Sequence, residues 1–231
     1  EALLIHNVDD LKKRHTKIYL DKLMELKKRK LVKLIGVSVY QPSDLRTVYS
    51  KLKPEQKMML DMISQPKLDG IRCIARKDGL YTRAGKAITT CDHIFLALQP
   101  FFTNFPEAIL DGELYNHELK ADFNKITSLV RKVKPTQAEA EECASLVQYH
   151  IYDMTGPEWE GFSFEDGNLH LESQNFESPI VFVETEYCNS QEELDALYSQ
   201  YTEDGYEGQM VRNNAPYENK RSKNLLKRKE F

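Results

Sequence analysis

The 231-residue sequence contains no run of about 18 apolar residues, which is the length that a membrane-spanning helix needs. Its first residues do not have the charged and apolar pattern of a secretion signal. Four cysteines (Cys73, Cys91, Cys143 and Cys188) are widely spaced and form no Cys-x-x-Cys pair. This spacing argues against a zinc site or a disulfide framework and favours a reducing cytoplasm. Internal repeats and low-complexity segments are also lacking. Because Glu1 stands where an initiator Met is usual, we expect a fragment of a longer chain.

The formal net charge is −4, but the charges are segregated along the chain. Basic residues concentrate in 11–34 and in 220–229, whereas acidic residues concentrate in 158–204. The first basic run has two interpretations. It is either the solvated face of a helix whose leucines turn inward or a surface that contacts phosphates. Nucleic-acid binding depends on where positive charge lies, so the net charge does not exclude it.

Apolar spacing predicts a mixed α+β fold. Helices are predicted over 8–34, 43–64, 92–101, 121–134 and 190–203, and strands over 71–76, 79–83, 108–115, 147–153, 179–187 and 208–212. Ser190, three residues before Glu193, is typical of a helix N-cap. Tight Asp-Gly and Ala-Gly turns favour antiparallel pairing, and 156–178 is predicted to be a long loop. We expect a helical, partly basic segment at 1–64 to pack on a larger domain at 65–231.

The segment KLDGIR at 67–72 combines residues suited to covalent nucleotidyl transfer. The amine of Lys67 can attack phosphorus, the glycine permits close backbone approach, and Asp69 and Arg72 can bind metal and phosphate. Alone, the hexapeptide is more often a surface turn. Five further segments follow in order: TRAGK at 82–86, LDGELY at 110–115, IYD at 151–153, EGQMVR at 207–212 and LLKRKEF at 225–231.

Together these segments resemble the nucleotidyltransferase motifs of ATP-dependent DNA ligases, most closely the compact phage and viral type. The resemblance runs from about Gln65 to Phe231. It implies an antiparallel, ATP-grasp-like nucleotidyltransferase (adenylation) domain of the kind shared with mRNA-capping enzymes. Family members usually carry an OB-fold domain after the last motif. We therefore expect the OB fold to be absent from this sequence, which ends at Phe231.

The resemblance implies an enzyme that forms lysyl-AMP from ATP, transfers AMP to the 5′-phosphate of nicked double-stranded DNA, and joins that phosphate to the 3′-hydroxyl. ATP and Mg²⁺ are the expected cofactors and nicked DNA the expected partner. We expect a monomer in the cytoplasm, or in the host cytoplasm if the protein is viral.

Individual roles follow from the matching motifs. Lys67 is the expected nucleophile, and nearby Lys227 and Lys229 are expected to lower its pKa and to hold the α-phosphate. Glu113 is expected to bind the ribose, and Glu207, with Asp69, the metal.

For the base, the ring of Tyr152 is expected to stack on adenine and the amide of Gln65 to contact the purine edge. A core position is the alternative for Tyr152. EGQMVR departs from the family pattern at Gln209, where an aliphatic residue is usual, so we expect altered packing of that strand.

Phosphate contacts on DNA are predicted at two places. Arg72 and Arg83 are suited to the 5′-phosphate at the nick, with Lys86 beside them; Arg72 is also expected to contact the nucleotide and to take part in catalysis. The alternative for Arg83 is an ordinary hairpin tip. Arg131 and Lys132, in the basic stretch 121–135, are expected to contact the DNA backbone.

Three other functions remain open. An mRNA-capping guanylyltransferase shares the lysine motif but uses GTP, an RNA ligase of the same superfamily uses related chemistry, and a non-catalytic DNA-binding module forms no covalent intermediate. A covalent adduct with labelled ATP or GTP discriminates among them.

Overall fold

A computed structural model describes residues 2–5, 34–37, 62–120, 122–188, 190–220 and 222–229, with backbone alone for 2–5, 34–37 and 123. The chain divides into two compact units, 1–60 and 61–231. In the first unit, strand β1 (Ala2–Ile5) pairs in parallel with β2 (Leu34–Val37). The helix predicted over 8–34 is therefore wrong at Leu34. The rest of that helix, most of the helix predicted over 43–64 and the basic residues of 11–33 lie outside the described residues.

The second unit contains a six-stranded sheet. Its strands are β4 (Ile71–Arg76), β5 (Gly79–Thr82), β6 (Ala87–Ile88), β7 (Ile109–Tyr115), β8 (Gln148–Thr155) and β9 (Ile180–Phe182). They lie in the order β6-β5-β4-β7-β8-β9, and every pair is antiparallel except β8–β9. The predicted antiparallel α+β architecture is confirmed.

A second, four-stranded sheet contains β3 (Met62–Lys67), β10 (Glu186–Cys188), β11 (Gly208–Arg212) and β12 (Leu225–Arg228). The order is β10-β3-β11-β12, with all pairs antiparallel. The helix predicted up to residue 64 is wrong over its last turn, because β3 begins at Met62 and is paired on both sides. Lys67 is thus the last residue of a strand.

Six α-helices are described in this unit. They are α1 (Asp92–Ala97), α2 (Gln99–Asn104), α3 (Phe123–Val130), α4 (Gln137–Leu146), α5 (Phe164–Glu172) and α6 (Gln191–Glu203). The helix predicted over 92–101 is divided at Leu98, because Pro100 lies in the first turn of α2. The loop predicted over 156–178 is wrong, since Ser163 forms a capping box with Asp166 and starts α5. Ser190 caps α6 as predicted, its hydroxyl accepting from the Glu193 N–H.

Most of the core lies against the six-stranded sheet. Fully buried side chains include Ile94, Leu98 and Phe102 from α1 to α2 and Tyr149 from β8. The Tyr149 hydroxyl donates to the carbonyl oxygens of Cys73 and Leu110, both at 3.1 Å, so it ties β8 to β4 and β7. This packing holds the strands that carry the predicted motif residues. Among the described helices, none is long and apolar enough to cross a membrane.

Candidate active site

A cleft of about 280 Å³ opens between the two sheets of the second unit. The predicted site residues that line it are Gln65, Lys67, Arg72, Arg83, Glu113, Tyr152 and Lys227. They lie on, or directly after, strands that are far apart in sequence. The structure therefore brings most of the predicted nucleotide-contacting residues together around one cavity.

Lys67 and Glu207 face each other at one end of the cleft. In the β3–β11 pair Lys67 lies opposite Gly208, and the Glu207 N–H donates to the Lys67 carbonyl oxygen at 3.0 Å. The Lys67 ammonium contacts Glu207 Oε2, and Lys229 Nζ donates to Glu207 Oε1 at 2.8 Å. Gly208 permits the close approach of β12 to β11: its φ is +151° and an added Cβ would lie 2.2 Å from the Arg228 carbonyl oxygen. Glu207 thus lies between two lysines.

The environment of Lys67 lowers its pKa below the ordinary value of 10.5. Burial is the largest cause, because it disfavours the charged ammonium, and the positive charges of Lys227 and Lys229 act in the same direction. Glu113 and Asp69 oppose this effect but do not cancel it. The lysine is therefore closer to the neutral, nucleophilic amine than an exposed lysine is.

Arg72 is fixed by Asp111, a residue of the LDGELY segment to which no role was assigned from the sequence. Its Nε and a terminal nitrogen donate to the two carboxylate oxygens of buried Asp111, at 2.9 and 2.5 Å. The Tyr217 hydroxyl donates to Asp111 Oδ2 at 2.9 Å. Asp111 lies two residues before Glu113 on β7, so strand alternation could have placed it on the same face. Tyr217 lies in an irregular segment and gave no such signal.

Glu113 lies beside Gly70 of the lysine motif. A Cβ on Gly70 would lie 2.4 Å from the Leu114 carbonyl oxygen and 2.8 Å from Glu113 Cγ, so the glycine permits this contact. Burial raises the pKa of Glu113 to about 7, although Lys67 opposes the shift. The Tyr152 hydroxyl points at Glu113 Oε2, at 3.5 Å. A carboxyl and an aromatic ring therefore adjoin in the cleft.

Two further charged residues in the cleft wall form a buried ion pair. Arg212 donates to Asp153 Oδ2 at 2.6 Å, and its guanidinium lies 4.0 Å from the centre of the Phe164 ring. Burial raises the pKa of Asp153 to about 6, with Arg212 opposing the shift. Both residues belong to segments that the sequence singled out, IYD and EGQMVR, but neither was assigned a role. The pair joins β8 to β11 across the cleft.

Gln209, the departure from the family pattern, is completely buried. Its amide nitrogen donates to Ser64 Oγ at 2.9 Å and to the Leu194 carbonyl oxygen at 3.0 Å. The strand therefore packs through polar contacts to β3 and α6 where an aliphatic side chain would pack through apolar ones.

The remaining residues that were predicted to bind metal or DNA lie at separate positions on the structure. Asp69 is exposed just beyond Lys67, and no group of three His, Cys, Asp or Glu residues in the described part of the chain is arranged to hold a metal ion. Arg83 and Lys86 are exposed at the β5–β6 hairpin, where only Arg83 lines the cleft. Arg131 is exposed outside the cleft, and Lys132 pairs with Glu139 at 2.6 Å.

Residues 45–229 match the model of the ATP dependent DNA ligase domain. The chain belongs to this family. A DNA ligase from Haemophilus influenzae is 29% identical over 171 residues, which are 72% of this chain and 57% of that protein. The chain thus spans little more than half the length of this curated relative.

Solved structures show the same fold for the ligase domain. The ATP-dependent DNA ligase of bacteriophage T7, in complex with ATP, gives a TM-score of 0.59 at 18% identity, covering 73% of this chain and 62% of that one. The Chlorella virus DNA ligase-adenylate gives 0.57 at 20% identity, covering 77% and 66%. The ATP-dependent DNA ligase family that the motifs predicted is confirmed, and the family match does not favour the capping-enzyme or RNA-ligase alternatives.

Proposed function

We propose that this ligase domain forms a covalent lysyl-AMP at Lys67 and passes the AMP to the 5′-phosphate of nicked duplex DNA. The supporting observation is the position of Lys67: a lysine with a lowered pKa at the end of the cleft, in contact with Glu207 and near Lys227 and Lys229. This is the arrangement that attack on a phosphate requires, since a nucleophile and compensating charges share one site.

The reaction takes three displacement steps, each of which forms one bond and breaks another. The Lys67 amine attacks the α-phosphorus of ATP, a P–N bond forms and pyrophosphate leaves. A 5′-phosphate oxygen of DNA then attacks the same phosphorus and the P–N bond breaks, which returns the lysine. Finally the 3′-hydroxyl attacks the DNA phosphate and AMP leaves. Phosphoryl chemistry of this kind depends mainly on alignment and charge neutralisation.

The nucleoside is assigned to the part of the cleft that Tyr152 and Glu113 line. Tyr152 offers an aromatic face for adenine, and Glu113 lies within reach of its hydroxyl, in a position to accept from the ribose hydroxyls. Arg72, held rigidly by Asp111, is positioned to contact the nucleotide or the DNA phosphate as a fixed positive charge. Lys227 and Lys229 are assigned to the α-phosphate.

Magnesium suits the carboxylates near Lys67. Both oxygens of Glu207 accept from lysines, so a metal ion would share or displace these contacts, and exposed Asp69 is the second carboxylate within the same region. Since Mg²⁺ commonly binds one or two carboxylates and completes its shell with phosphate and water, these residues fit it. When bound, it would neutralise phosphate charge.

DNA contacts are assigned to the exposed cations around the cleft. Arg83 lies at the cleft wall on the β5–β6 hairpin, where it could hold the 5′-phosphate, and Lys86 lies on the same turn. Arg131 and Lys132 lie farther away, and the ion pair of Lys132 with Glu139 weakens its availability. We therefore expect Arg83 to matter most.

Incubation with α-labelled ATP or GTP, followed by denaturing gel electrophoresis, tests the proposal. The expected result is a labelled protein adduct from ATP that is stable to alkali and labile to acid, as a P–N bond is, and that Lys67→Ala and Lys67→Arg abolish while circular dichroism stays unchanged. A matched control is Lys86→Ala, which removes an exposed lysine outside the cleft. An adduct that persists in Lys67→Ala, or labelling by GTP alone, would show that the proposal is wrong.

A further inference from the structure

The side-chain amide of Gln65 is held by two acceptors. Its nitrogen donates to the Tyr152 carbonyl oxygen at 3.3 Å and to Thr185 Oγ1 at 3.0 Å. A carbonyl oxygen accepts hydrogen bonds and cannot donate them, so the NH₂ end of the amide has to face Tyr152. Gln65 is only 2% exposed, which makes an unpaired or opposed polar atom costly at this position.

Thr185 imposes the same orientation. Its hydroxyl hydrogen is directed to the Val183 carbonyl oxygen at 3.4 Å, and its oxygen accepts from Asn168 Nδ2 at 3.1 Å as well as from Gln65. A hydroxyl has one hydrogen and two acceptor positions. With its hydrogen directed to Val183, Thr185 can only accept from the amide. A flipped Gln65 would place its oxygen against two other acceptors.

The orientation decides what Gln65 can offer a ligand. Gln65 and Lys67 are two residues apart on β3, so their side chains lie on the same face of the strand, and both line the cleft. The nitrogen of the amide is directed at Tyr152 and Thr185, which leaves the carbonyl oxygen as its group for a base in the cleft. An acceptor at this position attracts an exocyclic amino group and repels a carbonyl.

We propose that Thr185 and Asn168 are positioning residues that hold the Gln65 amide with its oxygen toward the nucleobase, so that the cleft selects a 6-aminopurine over a 6-oxopurine. This inference rests on the proposed function, because it takes the cleft to be the nucleotide site. Tyr152 contributes twice: its ring is assigned to the base face, and its backbone oxygen fixes the residue that reads the base edge.

A comparison of three nucleotides isolates the contribution of the purine 6-substituent to binding. ATP carries an amino group there, inosine triphosphate carries a carbonyl, and purine riboside triphosphate carries hydrogen. For the wild-type protein we expect equilibrium affinities in the order ATP, purine riboside triphosphate, inosine triphosphate. If inosine triphosphate bound the wild-type protein as tightly as purine riboside triphosphate does, that result alone would overturn the inference.

Thr185→Val removes the hydroxyl at nearly constant volume. We expect the ATP to inosine triphosphate preference to fall by about tenfold, which is the size of effect that one buried hydrogen bond has. Thr185→Ser keeps the hydroxyl and should keep the preference. Asn168→Ala should also lower the preference for ATP, but by less, because Thr185 still contacts Val183. Gln65→Met lacks the amide and should make the two affinities similar.

The outcomes separate this inference from the proposed function. If the wild type forms the lysyl adduct with ATP and Thr185→Val loses affinity for both nucleotides equally, Thr185 is only structural and the inference is wrong. A wild type that forms no adduct with any of the three nucleotides defeats the proposed function instead, while the binding order still tests the orientation of Gln65.

Discussion

Arg72 and Asp111 form a two-point contact across the β4–β7 pair, with hydrogen bonds of 2.9 and 2.5 Å between guanidinium and carboxylate. Asp111 is buried, whereas the Arg72 side chain keeps 36% of its exposure. One partner is therefore fixed inside the sheet and the other reaches into the cleft. Hydrogen bonding to Asp111 also raises the pKa of Arg72, so the guanidinium stays charged at any working pH.

Asp111→Asn should test whether Asp111 fixes the Arg72 guanidinium. The amide keeps the size but loses the charge and one acceptor, so we expect the free energy of unfolding to fall by about 2 kcal/mol and adduct formation to slow. Tyr217→Phe removes only one hydroxyl contact and should cost about 1 kcal/mol. Urea unfolding measures both. Equal stabilities of Asp111→Asn and the wild type would show that the contact contributes nothing.

Lys227→Ala should change the pH dependence of lysine adenylation. Removing a nearby positive charge raises the pKa of Lys67, so less neutral amine is present near neutral pH and the rate should fall roughly three- to tenfold there. The loss should shrink at higher pH, where Lys67 is deprotonated in both proteins. Single-turnover rates across pH provide the measurement, with Lys86→Ala as control. A loss that is equal at every pH would assign Lys227 to phosphate binding alone.

Glu113→Gln should flatten the pH dependence of stability. The pKa of Glu113 is raised from 4.5 to about 7, so the folded protein keeps a proton that the unfolded chain loses. Folding therefore becomes less favourable as pH rises through this window, and the effect is constant above it. Between about pH 5 and pH 8 the variant should gain on the order of 1–3 kcal/mol relative to the wild type. Parallel stability curves from urea unfolding would contradict a raised pKa.

Glu207→Gln should impair adduct formation, the step for which we propose a magnesium ion at Glu207. Mutation of a group that only supports a metal ligand typically lowers metal affinity or activity by about 10–100-fold. Loss of a ligand itself should therefore slow adduct formation by roughly 100-fold or more. A Mg²⁺ titration of the rate is the measurement. Asp69→Asn is the matched comparison, since Asp69 is exposed and is expected to affect nick sealing more than adenylation. An unchanged titration curve in Glu207→Gln removes Glu207 from the metal site.

Arg83→Ala should separate the two halves of the reaction. Arg83 lines the cleft wall but is exposed, so we expect adduct formation within about twofold of wild type and AMP transfer to a nicked duplex slowed by roughly 10- to 100-fold. Lys77→Ala, which removes an exposed lysine outside the cleft with no assigned DNA contact, is the control. Single-turnover measurement of each step decides the matter; similar losses in both steps would place Arg83 in the nucleotide site.

Most strands that carry the motifs could be predicted from the sequence. β4 covers Ile71–Arg76 as expected, and β11 covers Gly208–Arg212. In β4 buried residues alternate with less buried ones, and Gly70 and Gly79 lie on either side of it, so its pattern can be recognised from the local sequence. β3 was wrongly assigned in part to a helix, because its buried residues are consecutive and do not alternate, and consecutive apolar or small residues do not distinguish a strand from a helix.

The sequence alone determined the motif residues, their order and the family. Each motif is a short run of residues, and the residue types in it indicate its chemistry. Tertiary structure alone decided which of these residues meet. Lys67 reaches Glu207 across 140 positions and Gln65 reaches Thr185 across 120, because β3 lies between β10 and β11 in one antiparallel sheet. Tyr217, in the irregular segment between β11 and β12, joins Asp111 of β7 across 106 positions. Strand register and burial set these distances, and neither is a property of the local sequence.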